Sequence, residues 1–563
     1  MSDQTVEITI KHLNELKRVA DSLDALATLK ISKNDALYAA MLDGTNTERI
    51  FRLWWDQSEA GGQSKYTRLS RFARMLAAAY NGQKYTIRKP IGASADLFTP
   101  IDDLADLGAA QLCTEATAPV AGWEDNSAIC GWYCRANAYH LADGTMEILY
   151  VEGENGFDIT GELAPVYTFA PALYKREWED TEYEYKSFSA TALGGYDMQD
   201  RDIGLDGKKR DLTWTPSFPG TLNSSGGLTS GAGGKPANRM SANTGIANAR
   251  KVSAYEGLWN DGDQAYVLDM WQMRHHRTEN SGVCEGCNYY NYTYLVALAE
   301  TGVKRVLLTP AQAANLQVGS NIMIGTNAST DRNAASSYSI ADNATILSKE
   351  TVTIDETDYV ALNLDVAEEI DTTETTQIMT APWNTGTTEA LPGHKDGACH
   401  SLTAGQNPIR VMGIEIIHGC CDIGLDPLYN VTKNEDNTTF DYEVFECRNA
   451  THLAGNITAN YKSTGIIRRK IASGWNWVKS YVKTKLSVLF PEMLGGSSTT
   501  YYKSAVYGSY SAGVRCPWRS GDLYYTTSGG LSCEFLSIAP SSAGYSGSPR
   551  LGGSGAMRGE RAA

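Results

Sequence analysis

The groups in this sequence with the clearest capacity for chemistry are its cysteines. Cys284-Glu-Gly-Cys287 has the spacing with which a tight turn offers two thiolates to a tetrahedral zinc ion. Cys130 and Cys134 would complete a four-thiolate site if the fold brought the pairs together. The second pair is spaced by three residues, and buried thiols acting as small apolar groups account equally well for such half-motifs. Cys399-His400, and His418 with Cys420-Cys421, are weaker still. His275-His276 closes an apolar helical pattern, where the helix dipole favours a cation at the surface. The glycine run near 225–234 lacks the Gly-Lys-Ser/Thr that would make it a phosphate loop. No Gly-x-Ser-x-Gly elbow or paired-carboxylate motif stands out. We therefore expect no metal, no cofactor and no catalysis. Contact surface is the better-supplied resource: 31 Tyr, 12 Trp and 53 Gly suit an adaptable binding face, and equally a β-rich core with many turns.

The totals narrow the classes. A chain of 563 residues exceeds one ordinary core and predicts two to four units. A net charge of -16 repels phosphate backbones, so no nucleic-acid partner is expected. No apolar run reaches the roughly 18–20 residues of a membrane span, and the opening MSDQTVEITIKHLNELK is not a secretory signal. The expectation is a protein that stays in the cell that makes it, or leaves by lysis or inside an assembly. Most of its 11 cysteines then read as reduced, buried thiols.

The elements that must position such a surface are short. Leu13, Leu16, Val19, Leu23 and Leu26 have coiled-coil spacing over about two heptads. A second helix is predicted over 32–41, and a third capped by Ser64 that buries Leu69, Phe72, Leu76 and Tyr80. Residues 1–82 read as a helical anchoring and oligomerisation unit, and 83–120 as a connector. β-like runs follow from 121. The stretch 217–235 reads as a flexible loop, and 240–278 as helical, with Val267, Leu268, Trp271 and Met273 inward. Residues 303–383 predict an inserted small barrel or sandwich, whose hairpin alternates Val352 and Ile354 against Val360, Leu362, Leu364 and Val366. From 384 to 563 the pattern is β-rich, which makes the fold class α+β.

The last third carries Gly495-Gly-Ser-Ser-Thr-Thr-Tyr-Tyr502, Gly513-Val-Arg515, Arg519-Ser-Gly521 and a closing Gly547-Ser-Pro-Arg-Leu551. Further back stand Ala247–Leu258 and Arg410-Val-Met-Gly-Ile-Glu-Ile-Ile417. Together these resemble phage tail and tail-fibre proteins with a C-type-lectin-like domain of the formylglycine-generating-enzyme type, including receptor-binding proteins diversified by retroelements. There are departures: Pro549 and Ser520 replace the usual residues, and asparagine is absent from 522–546. The enzymes of that group use a cysteine pair just after the Gly-Gly-Ser turn. Here that place holds Asp522, Leu523 and Tyr524, with Cys516 before it and Cys533 well after, so the catalytic pair does not map. Trp259-Asn260-Asp261 repeats a triplet of calcium-dependent lectins, but ahead of a helix, and reads as a chance match.

The resemblance implies a lectin-like domain over 121–302 and 384–563, interrupted by the 303–383 insert, with a variable surface near its end. The expected ligand-binding residues are Trp518, Arg519, Tyr524, Tyr525, Thr526, Ser532, Glu534, Ser537, Ser541, Ser542, Tyr545 and Ser546, with Leu531, Phe535 and Ile538 turned inward. The function implied is a virion structural protein of the tail, assembled in the host cytoplasm, attaching to a host cell-surface glycan or protein. Other virion tail proteins would be partners, in a homotrimer, without membrane insertion. A structural particle component without receptor contact (baseplate, tail tip or head decoration) is the alternative.

Overall fold

Among the described residues, strands cut at short intervals by glycine and polar turns outnumber helices. The computed structural model describes residues 51–52, 54–56, 64–107, 109–110, 132–141, 146–205, 207–326, 331–390, 405–486 and 488–553. The heptad-like stretch at 13–26 and the helix expected over 32–41 lie outside them, as do Cys130, Cys399 and His400.

A central sheet organises the described residues. Its order is Trp259–Asn260, Cys421–Asp426, Trp518–Arg519, Glu534–Phe535, Ala505–Gly508, Gly474–Tyr481 and Pro491–Leu494, and Gly547–Pro549 also pairs with Cys421–Asp426. Register places Trp475, Tyr507, Phe535, Trp518, Ile423 and Pro549 in one row across the strands. The adjoining row reads Asn476, Val506, Glu534, Arg519, Asp422 and Ser548. Successive side chains on a strand point to opposite faces, so the aromatic row faces one way and the ionic row the other. Each face has its own core: Trp518, Phe535 and Ile423 pack with one apolar cluster, Val506 and Val478 with another.

Helices cover both faces. α1 (Lys65–Ala79) starts where Ser64 accepts a hydrogen bond from the Thr67 amide, and buries Leu69, Phe72 and Leu76 as its spacing predicts. It does not form a separate anchoring unit, because those side chains enter the same core as Trp132, Phe169 and Trp214. Nor is 83–120 a simple connector. Tyr85–Pro90 is an inner strand of a five-stranded sheet, with Tyr85 and Ile87 fully enclosed. The helical stretch at 240–278 is two helices, α2 (Ala242–Val252) and α3 (Asp261–His275), divided by the strand Trp259–Asn260. α3 is buried on nearly every side, with Val267, Leu268, Trp271 and Met273 all in the core. His275 and His276 are buried with it rather than held as surface cations, and burial drives the His275 pKa down to about 3.

The stretch 217–235 is the clearest reversal. It is a hairpin, Gly220–Leu222 against Leu228–Ser230, with most of its strand residues buried, and Gly220 and Gly231 serve close approach rather than flexibility. A Cβ at Gly220 would collide with the Pro549 carbonyl, and one at Gly231 with the Thr160 carbonyl. The inserted unit is a six-stranded sheet running from Thr293 to Ala381, wider than 303–383 at its start. A bridge from Leu298, just beyond the strand at one edge, to Leu307 in the strand at the other edge brings the two edges of the sheet together. Its long hairpin turns at Asp355-Glu356, both at positive φ.

Beneath the ionic row lies a cluster of buried charge. Arg519 donates to Asp261 Oδ1 through Nη2 at 2.5 Å and Nε at 3.0 Å, and to the Leu489 carbonyl at 2.7 Å. Its Nη1 lies 3.0 Å from Glu534 Oε2, and the Tyr429 hydroxyl donates to the other oxygen of Glu534. All four side chains are essentially inaccessible. Burial works against the guanidinium charge, but Asp261 and Glu534 outweigh it and raise the Arg519 pKa. Replacing Arg519 with Ala leaves two buried carboxylates uncompensated, and should cost about 3–5 kcal/mol in urea denaturation; a loss under about 1 kcal/mol would show the cluster to be dispensable.

Glu256 offers a second test. It is fully enclosed and accepts a 2.5 Å hydrogen bond from the Tyr167 hydroxyl, and burial raises its pKa from 4.5 to about 7. The folded state thus holds a proton that the unfolded state releases between those values. The stability this contributes is complete below about 4.5 and is lost as pH rises through about 7. Glu256→Gln keeps an acceptor for Tyr167 without the titration. Its melting temperature should fall less than the parent's between pH 5 and pH 8, up to the equivalent of about 3 kcal/mol. Parallel pH curves would contradict this.

Candidate functional site

The expected ligand-binding residues divide on burial. Trp518, Arg519, Ser532 and Glu534 are buried, and their assignment to an exposed surface is corrected: Arg519 and Glu534 form the ionic cluster just described. Ser532 is held by Glu279, whose carboxylate accepts from the Ser532 amide and hydroxyl, and its hydroxyl also meets that of Ser504. Trp518 lies in the aromatic row at 3% exposure.

The remaining residues separate into two places. Residues 540–546 run along the α2 entrance and the barrel. There the Pro540 carbonyl accepts from the Asn243 amide, and the Tyr545 amide donates to Asn333 Oδ1 at 2.8 Å. Ser541 is exposed, while Ser537, Ser542, Tyr545 and Ser546 are half-buried. The Tyr545 hydroxyl donates to Asp522 Oδ2 at 3.3 Å, and burial pushes the Asp522 carboxyl up to about 7. None of these serines, nor Tyr545, lines the groove that Tyr524 borders.

Tyr524, Tyr525 and Thr526 belong to a different site. After Gly521 the chain alternates sharply. Asp522 is buried and accepts from the Tyr524 amide at 2.7 Å, and Leu523 enters the barrel core. Tyr524 projects outward at 64% exposure, and Tyr525 turns back onto Phe535. The turn Thr526–Ser528 follows, tied by its first amide to the Asn288 carbonyl.

This turn forms one wall of a groove of about 730 Å3, whose other lining residues are Gly474, Trp475, Tyr507, Tyr510 and Phe535. The floor is the outer end of the aromatic row. Phe535 lies nearly parallel to Tyr507 and to Tyr525, with ring centroids 4.9 Å and 4.5 Å apart. Trp475 stands almost perpendicular to all three at 5.0–5.3 Å, a set of edge-to-face contacts that fixes its ring. It stays 37% exposed. Tyr510, 64% exposed, brings its hydroxyl within 3.0 Å of the Tyr507 hydroxyl. That hydrogen bond, with burial, pushes the Tyr507 pKa up to about 12, so the hydroxyl stays protonated at neutral pH.

Such an arrangement offers flat apolar rings and a rim of hydroxyls. Its lining side chains are those of tryptophan, phenylalanine, tyrosine, threonine and serine. Sequence reasoning missed Trp475, Tyr507, Tyr510 and Ser528. The signal for the first was the alternation Trp475-Asn476-Trp477, which also describes any half-buried strand. Cys134, Cys284 and Cys287 are each buried in a different apolar cluster, and Cys130 lies outside the described residues. Among the described residues no group of three His, Cys, Asp or Glu side chains could hold a metal ion. Asn260 and Asp261 are engaged structurally, Asn260 capping α3 and Asp261 holding Arg519.

The two neighbouring tyrosines are therefore not equivalent. Tyr524→Ala should change stability by less than about 0.5 kcal/mol, as at an exposed site. Tyr525→Ala removes a ring stacked on Phe535 and should cost about 2–4 kcal/mol. Thermal unfolding of the two variants checks this, and equal effects would reject it.

No family model matches the chain, and no curated protein matches it in sequence.

Proposed function

We propose that the protein is a phage tail or tail-fibre component that attaches to the host cell surface through a C-terminal domain with a C-type-lectin-like fold. The observation that carries the reading is the groove at Trp475, Tyr510 and Tyr524, where large aromatic surface is held rigid and left open to solvent. Among the described residues no other tryptophan, tyrosine or phenylalanine side chain is exposed, so leaving these three open on a braced platform points to a partner. The β-rich architecture supports the lectin-like assignment. So does the way the domain closes, since Trp259–Asn260 and Gly547–Pro549 both pair in parallel with Cys421–Asp426, and Leu258 bridges Leu551. Among the described residues no helix is long and apolar enough to cross a membrane. In this reading the N-terminal segment joins the chain to sister subunits, as a homotrimer, and to other tail proteins.

The test is direct binding of the labelled full chain to a panel of bacterial cells. Trp475→Ala with Tyr524→Ala should reduce cell binding at least tenfold, with a melting temperature within a few degrees of the parent. Undiminished binding by a folded double variant would place attachment elsewhere. Absence of binding to every cell type, together with burial of the groove against neighbouring proteins in the assembled particle, would favour a scaffolding role.

A further inference from the structure

We infer that the groove takes an uncharged carbohydrate, stacking a sugar ring on Trp475; this rests on the attachment reading and names the ligand class for the same site. Three properties of the groove lead there. First, its lining contains no acidic or basic side chain. A phosphate or carboxylate entering it would leave water without a cation to meet it, on a chain of net charge -16. The basic residues of the strand leading towards Trp475, Lys462–Ala472, lie outside the lining, and Arg469 among them is tied to Asp441 at 2.9 Å.

Second, the polar side-chain groups of the lining are hydroxyls, apart from the indole N–H of Trp475. Those of Tyr507, Tyr510, Thr526 and Ser528 each donate and accept, which matches the hydroxyls of a sugar rather than a group of fixed polarity. The Tyr507 and Tyr510 hydroxyls already meet at 3.0 Å and form a joint polar edge beside the rings. A pyranose carries a patch of C–H groups on one face and hydroxyls around its edge. The C–H patch is weakly positive and apolar, which suits the negative face of an indole. Trp475 is pre-set for it, since Tyr507, Tyr525 and Phe535 hold its ring at 74–82° to their own planes. No rotamer entropy need be lost on binding.

Third, the shape fits a compact ligand. A concave volume of about 730 Å3 is within the range of small-ligand clefts, about 300–1,000 Å3.

The experiment uses the full chain on an array of neutral hexose and N-acetylhexosamine oligosaccharides beside sialylated and phosphorylated counterparts. Titration calorimetry with the best neutral binder follows. Neutral glycans should bind, Trp475→Ala should weaken binding at least tenfold, and Trp475→Phe should retain it within a few fold, with each variant still folded by circular dichroism. Binding confined to acidic glycans, or a Trp475→Ala variant that binds as well as the parent, would overturn the inference. The attachment reading is separated from it by competition. If cells are bound through Trp475 and Tyr524 but no neutral sugar competes at about 50 mM, far above the roughly millimolar constant of a weak site, attachment stands and the sugar assignment fails. If neither cells nor glycans bind, both fail.

Discussion

Arg519 is the residue on which the described architecture turns. It sits on a strand of only two residues, Trp518–Arg519, which backbone pairing alone holds poorly. Its guanidinium ties the first turn of α3 through Asp261, the adjoining strand through Glu534, and the segment at Leu489 through a carbonyl. Asp261 answers by accepting from the Leu489 amide at 2.9 Å. A buried cation is tolerable only when its partners are all in place. The cluster therefore ties α3 to the register of the neighbouring strands, because a one-residue slip would turn Arg519 to the opposite face.

The aromatic groove follows from that constraint. Trp518 and Phe535 are the chain neighbours of Arg519 and Glu534, so fixing the ionic row on one face fixes the aromatic row on the other. Tyr507 pairs with Phe535 and Trp475 with Tyr507, each one strand further from the centre. Exposure rises along the same line, from 3% at Trp518 to 37% at Trp475. One continuous row thus begins as core and ends as surface, and the groove forms where the cover over it runs out.

What was legible in the sequence depended on whether a pattern had a single physical cause. Ser64 before an apolar helical face gave α1 its start and its buried side, and the alternation around Asp355-Glu356 gave the barrel hairpin. The alternation at 531–538 misled, because period two identifies faces but not which face is interior when both are covered. Glu534 and Ser532 look like surface positions and are enclosed, since partners from Tyr429, Arg519 and Glu279 satisfy them. Glycine carried the same ambiguity at 217–235, where close backbone approach and flexibility call for the same residue. The groove was hidden for another reason. Trp475, Tyr507, Tyr524 and Phe535 are scattered over some sixty positions, and only strand register brings them together.

That distribution also separates what can change from what cannot. The floor residues Tyr507, Tyr525 and Phe535 brace one another, so altering any of them disturbs packing that runs back to Trp518. Tyr524 and Thr526 stand on a turn and are exposed, and Tyr510, equally exposed, rests on Tyr507 at the rim. Loops on a rigid scaffold can alter recognition at little folding cost. Under the attachment reading, a change of ligand would be written in those rim positions while Trp475 kept its place as the platform. The working surface is then both smaller and wider than the stretch 518–546: it leaves out most of that stretch, and it draws its central residue from a strand forty residues upstream.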